Sequence, residues 1–330
     1  MPAHHQVVIL GCPLCHNMII LAAMGKRSHP TLQRLKGKLS VAVLKAVSLL
    51  PFSVTYRLAG ILGDIVSRMP TSSRAISEIN LALCYPNMAE SDRQQLARQS
   101  LIESLRNSFE FALFWHRSQE ALDRVVDVQG FEPVKALIDA KTPVLILAPH
   151  LGCWEVLNLW LARHCSLHVM FAPSQFPEVD DLIRQGREHQ GSIMYPATAR
   201  GVAGLVKAIR QGAVSGILPD QVPAKGSGVH APFFGQPAYT GTLGCKLIRQ
   251  TGAVGVMAWA ERLPKGQGYR LHFSMADADV GHADNLQAAT ALNRENERLI
   301  NQCPEQYLWS YKRFRRTPTG INSPYASLKR

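Results

Sequence analysis

Between residues 143 and 275 the chain alternates two kinds of apolar spacing. Short unbroken apolar runs suit strands buried on both faces. Segments with apolar residues three and four positions apart suit helices. The run Val144–Ala148, closed by Pro149, predicts a strand, and Val156, Leu157, Trp160 and Leu161 predict a helix starting near Gly152. The same reading gives strand 167–172 before helix 178–189 and strand 192–195 before helix 200–211. Strand 215–218 then leads into Pro219-Asp220-Gln221, and helix 241–251 precedes strands 253–260 and 269–275. Asp284 is placed to cap a last helix through Cys303, with Leu292, Leu299 and Ile300 facing inward. Such β–α repetition predicts an α/β fold with a mostly parallel sheet covered by helices on both faces.

The first part of the chain is patterned differently. Residues 76–116 read as helical, with Ser91 as an N-cap and Leu96, Leu101, Leu105 and Phe109 on one face. Upstream, Lys26, Arg27, Arg34, Lys36 and Lys38 form a basic cluster without an acid, followed by the apolar stretch Leu39–Leu50 and Pro51. Twelve helical residues rise roughly 18 Å, short of the ~30 Å hydrocarbon core of a bilayer. Beyond Pro51, Val54, Leu58, Ile61, Leu62, Ile65 and Val66 line one helical face. Basic residues beside amphipathic helices predict membrane-associating helices over 24–70; a helical hairpin packed on the core is the alternative. The expected organisation is a leader at 1–23 that need not belong to the native protein, these helices, an acyltransferase-sized domain at 71–320 and a tail at 321–330.

Composition narrows the partners. With 46% hydrophobic and 18% charged residues the chain is globular, and a formal charge of +12 calls for an anionic partner. No aromatic–basic nucleic-acid motif is present, which argues against nucleic acid and leaves an anionic membrane surface or an acidic carrier. Seven scattered cysteines suit reduced thiols. Cys12-Pro-Leu-Cys15-His16 fits the haem-attachment spacing, but no folded domain or export signal surrounds it.

The candidate chemistry sits at the first β-to-α corner. His150 follows a strand at its carboxyl end, where open α/β sheets place ligands. Glu155 lies about one turn into the next helix. A histidine held by a carboxylate is suited to take a proton from a hydroxyl near neutral pH. Asp220 also follows a strand and is a rival partner for the imidazole; the sequence does not choose between the two. Cys153 raises a thiol-nucleophile alternative. A zinc site from His150, Cys153, Glu155 and His164 has no common ligand spacing, and no metal or cofactor is called for.

Five stretches in order carry a family resemblance. His150-Leu-Gly-Cys-Trp-Glu155 resembles the H-x4-D/E motif of the glycerolipid and lysophospholipid acyltransferases, with the Glu of the late acyltransferases of lipid A assembly. Ile79-Asn-Leu-Ala-Leu-Cys84-Tyr-Pro86, Arg200 at a helix start, Pro219-Asp220-Gln221 with Phe233-Phe234-Gly235 and Thr240, and Pro304-Glu-Gln306-Tyr-Leu-Trp309 with Arg313-Phe314 and Pro318 are similar to other blocks of that branch. Tyr311 departs from the branch, which often shows His there, and residues 1–23 match nothing in it.

The resemblance implies transfer of a fatty acyl chain from an acyl carrier protein or coenzyme A thioester to a hydroxyl of a lipid A precursor or related glycolipid. The place implied is the cytoplasmic side of a bacterial inner membrane. His150 and Glu155 would be catalytic, with Arg200, Asp220 and Gln221 binding substrate. An activated thioester needs no acyl-enzyme; the hydroxyl must lose its proton as it attacks.

Overall fold

The structure is a computed structural model in which residues 30–171 and 176–328 are described. The leader, the C-x-x-C-H segment, Lys26 and Arg27 lie outside those residues. At the centre is β2 (Val144–Leu147), four aliphatic residues buried on both faces. Side chains alternate across a strand. Val144 and Ile146 therefore enter one core while Leu145 and Leu147 enter another.

The seven-stranded sheet runs β1 (Val125–Gln129), β9 (Tyr269–Met275), β8 (Val254–Arg262), β2, β5 (Val214–Ile217), β3 (Leu167–Phe171), β4 (Ile193–Pro196). Every pairing is parallel except β8 with β9. After α6 (Phe131–Asp139) and β2 come α7 (Trp154–His164), α8 (Pro177–His189) and α9 (Ala199–Arg210). α7 and α8 pack on one face through residues such as Val156, Leu161 and Val179. α9, with α10 (Leu243–Thr251) and α11 (Asn285–Ile300), covers the other through Leu205, Leu247 and Leu292. The expected α/β architecture with helices on both faces is therefore present.

Several boundaries differ from the sequence reading. The helical stretch 76–116 is two helices, α3 (Ser72–Cys84) and α4 (Glu90–His116), separated where Pro86 removes a backbone donor. Ser91 is not the cap: Ala89 holds that position and Ser91 lies inside the first turn. Asp284 does cap α11, accepting from the amides of Leu286 and Gln287, but that helix ends at Ile300 rather than Cys303. Pattern alone also missed β1, α6 and the hairpin β6 (Gly228–Phe233)/β7 (Gln236–Gly241), which forms a separate two-stranded sheet. Its turn is Phe234-Gly235, both at positive φ (48° and 74°), the geometry of a tight hairpin turn.

At the N-terminus, α1 (Pro30–Ser48) and α2 (Phe52–Arg68) meet in a bend of 120°. Small residues of α2, namely Thr55, Ala59, Gly63 and Ser67, face inward. A Cβ on Gly63 would stand 2.8 Å from Ile102 Cα, so α2 can lie tight against α4 only with glycine there. The large apolar residues read from the sequence as one face point outward, with Ile61 59% and Ile65 53% exposed. Leu35, Leu39, Val43 and Leu49 extend this surface along α1. Among the described residues no single helix is long and apolar enough to cross a membrane.

Candidate active site

His150 and Asp220 follow β2 and β5, neighbouring parallel strands whose carboxyl ends share one edge of the sheet. Crossovers leave β2 toward β3 and β5 toward β8, on opposite sides of this pair. The two loops therefore diverge and open a crevice at the sheet edge. His150 Nδ1 lies 2.8 Å from Asp220 Oδ1, and its backbone N–H donates to Asp220 Oδ2 at 3.2 Å. Both residues are buried. This answers which carboxylate faces the imidazole: it is Asp220. With Nδ1–H donating to the carboxylate, Nε2 is the basic nitrogen, and the Gln221 amide lies 3.0 Å from it.

The electrostatics fit that assignment. Burial pushes the Asp220 carboxyl up, but the facing His150 charge and the hydrogen bonds from its ring and backbone outweigh this. The net effect holds Asp220 below its ordinary value. Tyr307 stands on the other side of Asp220; burial and that carboxylate raise its phenol well above the usual range, so it remains a neutral donor.

Glu155 has a different partner. It accepts two hydrogen bonds from Arg187 of α8, Nε to Oε1 at 2.8 Å and Nη2 to Oε2 at 2.7 Å. The pair is fully enclosed, tying the first turn of α7 to the end of α8. The charge is thus spent on Arg187. Cys153 is completely buried and burial raises its thiol far above the range in which thiolate forms; the Glu110 carboxylate adds to the shift.

A polar clamp sets the His150 loop. Gly152, at φ 62°, donates to Gln306 O at 3.1 Å and accepts from Asn107 Nδ2 at 2.8 Å. A Cβ there would run into the Ala260 carbonyl. Gln306 brackets Arg262 by accepting from its N–H at 2.9 Å and donating to its carbonyl at 2.8 Å. The Arg262 guanidinium binds Glu110, Glu103 and Asn107. Leu308 N–H donates to His150 O at 3.1 Å. The motif boxes meet here as well: Asn80 Nδ2 donates to the carbonyls of Trp309 (2.6 Å) and Tyr311 (2.8 Å), and Tyr85 packs on Phe234 and Trp309. Trp154 contacts the His150 ring edge-on, 4.9 Å between centroids, while Phe233 is core.

Arg200 is exposed at the start of α9, after the edge strand β4, three strands along from β2. Among the described residues it forms no hydrogen bond or ion pair, with His150 or otherwise. Sequence reasoning missed Arg187, Arg262, Glu110, Asn107 and Tyr307. Of the clamp, only Gln306 stood inside a recognised stretch.

The fold and this edge define a class: an α/β protein with a buried histidine–carboxylate pair set to take a proton from a hydroxyl. Residues 25–316 match the family of bacterial lipid A biosynthesis acyltransferases, and the chain belongs to that family; it is an acyltransferase. It is 29% identical over 288 residues to the lipid A biosynthesis lauroyltransferase of Escherichia coli (strain K12), covering 87% of this chain and 94% of that protein. The lipid A biosynthesis myristoyltransferase of the same strain is 25% identical, over 87% of this chain and 89% of its own length. The palmitoleoyltransferase of that strain is 24% identical over 84% and 90%.

Proposed function

We propose that this protein moves a fatty acyl chain from the thioester of an acyl carrier protein, or of coenzyme A, to a hydroxyl of a lipid A precursor. His150 is the general base and Asp220 its partner. The acceptor oxygen attacks the thioester carbonyl while its proton passes to His150 Nε2. The carbon–sulfur bond then breaks and the imidazolium returns the proton to the leaving thiolate. Asp220 fixes the tautomer and balances the imidazolium charge; Glu155 shapes the corner through Arg187. Gln221 holds the position at Nε2 that the hydroxyl takes during turnover. The buried 2.8 Å contact between His150 and Asp220 is the observation that carries this reading.

The reaction belongs at a membrane, on the cytoplasmic side of the bacterial inner membrane. The outward apolar residues of α1 and α2, next to Lys38, Lys45 and Arg57, suit insertion into an anionic leaflet without a span. Gly37 of α1 lies so close to Glu178 that a Cβ would strike the carboxylate. Glu178 opens α8, just after β3 ends, so the apolar face and the His150 crevice share one edge. Arg200, on that same edge, is retained as a contact to the acceptor headgroup. Mass spectrometry of lipid A from a strain lacking the protein tests the function: loss of one secondary acyl chain supports it, and an unchanged acylation profile refutes it.

A further inference from the structure

Arginines elsewhere in the chain are commonly answered by carboxylates, as in Arg124–Glu120, Arg270–Asp127 and Arg294–Asp277. The walls beside the Asp220 loop break that pattern. Residues 221–260 and 306–330 contain no Asp or Glu. Among the described residues Lys225, Arg313, Arg315 and Arg316 form no ion pair.

These cations are nonetheless fixed. Arg315 Nη2 donates to Val222 O at 3.3 Å, and its guanidinium lies 5.5 Å from the centre of the Tyr311 ring. The Tyr311 hydroxyl accepts the Val222 N–H at 3.0 Å. Val222 directly follows Gln221, so Arg315 is anchored one residue from the group at His150 Nε2. Arg316 stands over Tyr239, whose hydroxyl accepts the amides of Gly226 (3.0 Å) and Gly228 (3.2 Å) on either side of the turn after Lys225. Behind them Arg313, 3% exposed, donates to Tyr239 O and Thr240 Oγ1 and adds a buried positive charge with no counter-ion.

Resting on the proposed function, we propose that Arg315, Arg316 and Lys225 seat a phosphate of the glycolipid acceptor and so choose which hydroxyl reaches His150. A guanidinium fork matches phosphate oxygens bidentately, and a site without carboxylates leaves that charge for the ligand. The phosphate of a phosphorylated sugar is separated by only a few bonds from the acyl chain bearing the hydroxyl, so it must lie on the wall of this crevice. A carrier protein presents its acyl group on a long flexible arm, which keeps its acidic surface away from residue 222.

The test uses the full chain with a bisphosphorylated lipid A precursor and the same lipid lacking each phosphate in turn. Arg315→Gln with Arg316→Gln is expected to raise the acceptor KM roughly tenfold, the loss of one charge-assisted contact, with kcat unchanged. That penalty should vanish on the acceptor lacking the recognised phosphate. Arg315→Lys, which keeps charge but not the fork, should be intermediate, and matching thermal midpoints verify folding. An unchanged acceptor KM overturns the proposal, as does a penalty that persists on both dephosphorylated lipids. A rise confined to the KM of the acyl carrier protein donor, absent with a coenzyme A thioester, overturns it in favour of carrier docking. Wild-type protein that acylates no phosphorylated lipid overturns the proposed function itself, a distinct result.

Discussion

Asp220→Asn separates the two carboxylates of the site. The side chain keeps its shape, but its single carbonyl oxygen can serve only one of the two donors that His150 presents, ring and backbone. The backbone bond has the same strength before and during reaction. Only the Nδ1–H···Oδ1 bond strengthens as the imidazole becomes imidazolium, so only it affects kcat. A hydrogen bond to a charged group contributes about 1.5–3 kcal/mol. Two unit charges ~4 Å apart attract by ~4 kcal/mol at an effective dielectric near 20, a contribution that partly overlaps the first. Together they predict a loss of about 3–5 kcal/mol, a fall in kcat of roughly 10²–10⁴-fold. The assay is acyl transfer to the lipid acceptor at saturating donor, with the thermal midpoint as a fold control. A folded Asp220→Asn variant within tenfold of wild-type kcat would refute the assignment of Asp220 as partner of the base.

Glu155→Gln should act mainly on stability: it leaves the Arg187 charge buried without its carboxylate, costing about 3–5 kcal/mol in denaturant unfolding. The double change Glu155→Met with Arg187→Leu should recover most of that loss. Gly152→Ala puts a Cβ against the Ala260 carbonyl at a left-handed position, so soluble protein should fall sharply, and any that folds should show a disordered His150 loop by hydrogen exchange. Ile61→Glu with Ile65→Glu should weaken binding to anionic vesicles in flotation without lowering the thermal midpoint, because both side chains already face outward. Asp220 is held below its ordinary value of 3.8, so its stabilising contribution is complete above that pH and is lost as pH falls toward the lowered value. The stability gap between wild type and Asp220→Asn should therefore narrow below about pH 4 in acid titration of unfolding.

What was legible in the sequence follows from burial. Central strands such as Val144–Leu147 are apolar on both faces, and the helices after them carry clear periodic stripes. β1 (Val-Val-Asp-Val-Gln) lies at the sheet edge with one side wet, so no run marks it, and the hairpin is set by two positive-φ residues. His150 was found because a histidine at a β-to-α corner is chemically conspicuous. Its partner was not, because proximity in sequence favours Glu155 whereas adjacency in the sheet favours Asp220. Strand order decides that point, and it exists only once the chain has folded. Arg187 and Arg262 were invisible for the same reason: each answers a carboxylate 32 or more positions away. The stripe on α2 was read correctly as one face, but small residues opposite it, not the stripe, supply the packing.

The most direct test of the central claim is the turnover of purified His150→Ala with thioester donor and lipid acceptor, the protein being shown folded by its unfolding midpoint. Loss of the general base predicts a fall in kcat of about 10²–10⁴-fold with little change in the KM of either substrate. Turnover near the wild-type rate would mean that some other group takes the proton.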